Sequence, residues 1–172
     1  MKPLLTSLLL LSTLVTSAPA LAEPLAFPTA PAPTPRQSYL HAQNEAMGVL
    51  TGWALTSIAT GALLWTTGTD DYTRGIGMQN VAWGAIDGAI AGFGAWGIAK
   101  ESKLVLSAAD WNKKQRQAKT IFLINAGLDL LYITTGAALL GLGKTDQVRG
   151  AGAGIVMQGS FLFVFDTAMA MH

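Results

Sequence analysis

No cysteine occurs in the chain, which excludes disulfides, thiolate zinc sites, iron–sulfur clusters and a lipid-modified cysteine anchor. Charge is scarce as well. Only 12% of the residues are charged, about half the share usual in a soluble domain. The net charge is +1, so no basic field points to nucleic acid as a partner. Histidine is confined to His41 and His172, which have no ligand-spaced neighbours of the kind a metal site requires. No Ser-His-Asp or Cys-His set can be assigned, so the chain is expected to be non-enzymatic and to use no cofactor or metal. Gly75-Ile76-Gly77 and Gly150-Ala151-Gly152 lack the preceding strand and the Lys-Ser/Thr pair of a phosphate loop.

What the chain has in abundance is apolar sequence punctuated by glycine. Half of it is hydrophobic and 19 residues are glycine. Four apolar stretches, 47–67, 75–99, 120–142 and 150–171, are each long enough to cross a bilayer as a helix. Strands of a membrane barrel would alternate apolar and polar residues, whereas Ala137-Ala138-Leu139-Leu140 runs apolar without alternation. Gly84, Gly88 and Gly92 recur at helical spacing and are expected to form one helix-packing face. The fold class expected is all-α: four transmembrane helices arranged as two tandem helical hairpins.

The N-terminal segment has the organisation of an export signal. Lys2 precedes an apolar core from Leu4 to Val15, and Ala20-Leu21-Ala22 offers a small-x-small cleavage site. A proline-rich tether, 23–43, is expected to follow, since five prolines between 24 and 35 favour an extended spacer. The membrane domain then covers 44–172, divided into a first unit 44–99, a basic linker 100–119 and a second unit 120–172. Leu104 to Trp111 within the linker is expected to be a short interfacial helix with Trp111 among the headgroups. Trp65 and Trp96 fall near helix ends on opposite sides of the membrane, as interfacial aromatics do.

The two units resemble each other. Thr60-Gly61-Ala62 corresponds to Thr135-Gly136-Ala137, and Arg74-Gly75 corresponds to Arg149-Gly150 at the same offset. A shift of four residues then aligns the segment from Gln79 to Asp87 with that from Gln158 to Asp166. This series reads as an internal duplication giving parallel repeats.

An exported N-terminus in a bacterial cytoplasmic (inner) membrane would put the basic linker outside, against the positive-inside rule. The signal-like segment is taken here to set the orientation.

Polar groups inside the apolar stretches are the functional candidates. Asp87, Asp129 and Asp166 are accompanied by Asn80, Asn125, Gln79 and Gln158. A charged Asp near a helix centre costs about 2.5–3.5 kcal/mol on insertion scales, so such residues mark function by default. All three acids are expected between the midplane and the face carrying the linker. The role expected is hydrogen-bonded glue between helices of a non-enzymatic membrane scaffold or accessory subunit; the alternative is a cation or proton path in a small transporter or channel. The partners expected are the lipid bilayer and either a second copy of the chain or another membrane protein.

Overall fold

Every helix begins at a side-chain cap. The computed structural model describes residues 31–172, and the four helices lie in the unit Pro33–His172. The export signal and the first part of the tether lie outside the described residues. Helix α1, Pro35–Thr67, starts with a reciprocal capping box between Thr34 and Gln37, with Pro35 in the first turn. Helix α2, Asp71–Glu101, is capped by Asp70, α3, Ala108–Leu142, by Ser107, and α4, Asp146–Met171, by Thr145. Each of these cap side chains accepts a first-turn backbone N–H that no helical carbonyl can reach.

Two boundaries differ from the sequence reading. Pro35–Gln43 is helical, because one proline at the first helical position ends the extended spacer and starts a helix. The linker shrinks to a short non-helical segment, 102–107, and Lys113 to Lys119 belong to α3. No separate interfacial helix forms there. Trp111 is buried in the first turn of α3, where its ring packs 5.6 Å from that of Tyr39.

Helices α1 and α2 pack as one antiparallel hairpin and α3 and α4 as another. The hairpins meet mainly through α2 and α4. Glycine makes these approaches close. A Cβ at Gly61 would lie 2.7 Å from the Val81 nitrogen, and one at Gly136 would lie 2.8 Å from the Val156 nitrogen. Gly77 and Gly152 face back onto the same crossings. Between hairpins, a Cβ on Gly75 would overlap the Gln147 carbonyl, and one on Gly150 would overlap the Tyr72 carbonyl. Close backbone approach of this kind is how helices associate where lipid removes any hydrophobic drive.

The proposed face of Gly84, Gly88 and Gly92 needs correction. Gly84 abuts Ala54 and Ile58 of α1, Gly88 makes only an ordinary contact with Ala54, and Gly92 meets nothing within 4 Å. The three share a helix face only roughly, since four-residue steps drift around a helix of 3.6 residues per turn.

Each hairpin turn is closed by its arginine. Arg74 Nε donates to the Gly68 carbonyl at 3.0 Å, and Arg149 Nε donates to the Leu140 carbonyl at 3.3 Å. Those carbonyls end a helix and have no helical partner of their own.

Burial is inverted relative to a water-soluble bundle. The largest fully buried side chains are Gln158, Asn80 and Asp87, while Phe93, Leu123 and Val164 are 65–75% exposed. All four helices are long and apolar enough to cross a membrane, and only 17–28% of each apolar window is buried inside the protein. A polar interior with an apolar exterior suits a chain whose solvent is lipid.

Candidate functional site

The seven polar residues singled out in the sequence do not form one cluster. They separate into two, with Gln79 in neither: its Cβ packs against Gly154 at the contact between α2 and α4.

The first cluster is a hydrogen-bond network joining α1, α2 and α4, complete except for Asn80 Nδ2, which is buried without a partner. Gln158 Nε2 on α4 donates to Asn80 Oδ1 on α2 at 2.6 Å and to Ser57 Oγ on α1 at 3.1 Å. Its Oε1 accepts the Trp53 indole N–H at 2.7 Å. Trp53 also stacks on Phe161 of α4 with ring centroids 3.8 Å apart. Three helices are thereby joined through one glutamine. Trp53 and Ser57 escaped the sequence reading, although an indole N–H inside an apolar stretch is itself a sign that an acceptor must be near.

The second cluster lines a cavity of about 200 Å³. Asp87 reaches it from α2, Asn125 and Asp129 from α3, and Asp166 from α4. Asn125 and Asp129 stand one turn apart, so both project from one side of α3. The Asp129 and Asp166 carboxyls are close enough to influence each other's charge, and Asn125 lines the same cavity. Ionised carboxylates only accept hydrogen bonds, so two of them can face each other favourably only with a positive species between them. Asp87 Oδ2 and Asp129 Oδ2 are buried and have no hydrogen-bond partner among the described residues. The remaining walls are aromatic and aliphatic. Trp83 meets Tyr132 edge-on at 5.0 Å, and Phe122 meets Phe165 edge-on at 6.0 Å.

Among the described residues, no three His, Asp or Glu side chains are placed to hold a metal ion together. His41 and His172 both lie beside Glu45, at 3.2 and 3.9 Å, on the exposed surface.

A polar tie closes the end of the bundle nearest the acids. Glu101, at the end of α2, accepts the Tyr39 hydroxyl of α1 at 2.6 Å and the Lys114 ammonium of α3 at 2.5 Å. Nearby, the Lys100 ammonium sits 3.4 Å from the centre of the exposed Trp96 ring. The cationic head and the indole share one helix end, as expected where lipid gives way to water.

Residues 49–167 match the model of DUF6992, a family of unknown function. The chain belongs to this family. No curated protein and no solved structure matches it. The segment shared with DUF6992 contains both polar clusters and all three acids. Tyr39 and the proline-rich segment fall before it.

Proposed function

We propose that this DUF6992 protein is a non-enzymatic integral membrane protein that holds a proton or a cation between Asp87, Asp129 and Asp166, as a small carrier or channel. The observation that carries this reading is the pair of buried, unpartnered oxygens, Asp87 Oδ2 and Asp129 Oδ2, at one cavity. Buried carboxyls ordinarily find donors, as both ends of the Gln158 amide find partners; Asn80 Nδ2 is the one other buried polar side-chain atom among the described residues without a partner. Leaving two carboxyls unpaired in lipid is costly, and such residues mark ion or proton pathways.

The hairpins support the same ordering of roles. We take them to be a duplicated unit, since Gly61, Gly75, Gly77 and Gly84 make contacts matched by Gly136, Gly150, Gly152 and Gly159 at one constant offset. No four-residue shift interrupts that register. In it, Asp87 corresponds to Leu162 and Asp166 to Ala91. The acids are therefore not two copies of one packing residue, which favours a role acquired at this cavity.

The test is reconstitution into vesicles carrying a pH-sensitive dye, with an imposed proton or cation gradient. Wild-type protein is expected to dissipate the gradient, and Asp129→Asn to insert normally and lose most of the flux. Equal flux from the variant, or none from the wild type, would refute the reading.

A scaffold role is the second reading, favoured by Gly92, Phe93 and Trp96 lying open on α2. Gly92→Leu would then disrupt a stable assembly in mild detergent. We place the protein in a bacterial cytoplasmic membrane with its N-terminus exported, following the form of the N-terminal segment.

A further inference from the structure

The geometry points to a small organic ammonium ion as the species held in the acidic cavity, an inference that rests on the cation-site reading above. Three features of the walls narrow the choice. First, acceptors come from different helices: Asp87 is 1% exposed and Asp129 is 3% exposed, both line the cavity, and each has a buried carboxyl oxygen without a partner. An alkylammonium head supplies several N–H donors on one centre, which suits acceptors arriving from separate directions. Second, two aromatic pairs, Trp83 with Tyr132 and Phe122 with Phe165, make up much of the remaining lining. Aromatic rings attract desolvated ammonium groups and give an alkyl portion an apolar surface. Third, the space is about 200 Å³, below the roughly 300–1,000 Å³ of drug-sized sites.

The competing occupants fit less well. A bare proton needs a carboxyl partner and no cavity. A hard metal ion takes about six oxygen ligands at short range, and the described acids are not grouped to hold a metal. A small amine uses the acids and the aromatic walls together.

The experiment is calorimetric titration of the full chain in lipid nanodiscs at constant ionic strength. The probes are methylammonium and tetramethylammonium chloride, compared with sodium and potassium chloride. At least one organic cation is expected to bind ten-fold or more tightly than either alkali ion. Asp129→Asn should weaken that binding at least ten-fold. Trp83→Leu should weaken the organic cation selectively, and Tyr132→Leu gives a second aromatic variant should Trp83→Leu fail to fold.

Equal binding of organic and alkali cations would overturn this inference and leave the cation-site reading standing. Proton uptake with no response to any of the four salts would also overturn it, and would reduce the site to a proton carrier. No response to salts or protons would overturn both.

Discussion

Gln158 on α4 donates a 2.6 Å hydrogen bond to Asn80 on α2, and neither side chain has any exposure. That contact joins the two hairpins at their shared pair of helices, where the glycines have already brought the backbones together.

Removing the glutamine should therefore be costly. Gln158→Leu deprives Trp53, Ser57 and Asn80 of a partner at once. A loss of about 1–3 kcal/mol is expected for leaving such groups unsatisfied. Asn80→Leu alone should cost less, and the double variant should fall short of the sum because the pair is coupled. Unfolding by SDS in mixed micelles measures all three. Strict additivity would show that the two side chains act independently.

The glycines should divide sharply by position. Gly150→Ala places a methyl group against the Tyr72 carbonyl, which belongs to rigid backbone. Overpacking of that kind costs about 1–3 kcal/mol. Gly92→Ala meets open space and should be neutral, or stabilising by up to about 1 kcal/mol through helix propensity. Melting temperatures in detergent would separate them, and a similar drop for both would contradict the crossing geometry.

The two hairpin caps should respond differently to acid. Backbone and side-chain hydrogen bonds from Thr73 hold the Asp70 carboxyl below the usual carboxylate range. A group with a lowered folded pKa stabilises above its unfolded value, and that stabilisation is lost as pH falls through the folded value. The corresponding cap of the second hairpin is Thr145, whose hydroxyl accepts from the Val148 N–H and does not titrate. Hydrogen exchange at the Thr73 amide, corrected for intrinsic rates, should accelerate below about pH 4. Exchange at Val148 should not. Parallel behaviour of the two amides would remove Asp70 from the account.

Orientation can be read by labelling. Thr73 lies in the first turn of α2 and Ser102 caps its other end, so a spanning α2 puts them on opposite faces. Since the chain has no cysteine of its own, Thr73→Cys and Ser102→Cys each give a single label site. In intact cells, an impermeant maleimide is expected to reach position 102 and not 73. The reverse would restore the positive-inside rule and reject an exported N-terminus. Labelling at both would mean that α2 does not span.

Much of the architecture was legible because hydropathy and glycine are local signals. The long apolar runs mark four helices, whereas the polar first turns that follow the caps Asp70, Ser107 and Thr145 lie outside those runs and were missed. The start of α1 was harder to see. Pro35 ends a proline-rich run, yet also occupies the first position of a helix where its missing N–H does no harm. Trp111 misled for another reason: an indole beside lysines suits a membrane interface, and only the neighbouring helix supplies Tyr39 to bury it.

The candidate site was legible as a set of residues and not as a set of contacts. Asn80 and Asp87 both face inward from α2, yet one meets Gln158 and the other reaches the cavity. Helical periodicity tells which side of a helix a residue occupies and nothing about which neighbour it meets.

By itself, then, the sequence determined that this chain forms helices long and apolar enough for a bilayer, and that acids and amides lie inside them. Propensity, capping and hydropathy act within a few residues, so they can be read along the chain. The tertiary structure alone decided that Gly75 and Gly150 carry the inter-hairpin crossing while Gly92 stays open, and that Asp87, Asp129 and Asp166 converge on one cavity. Those outcomes depend on the register and tilt at which helices cross, which are set by packing between residues far apart in sequence.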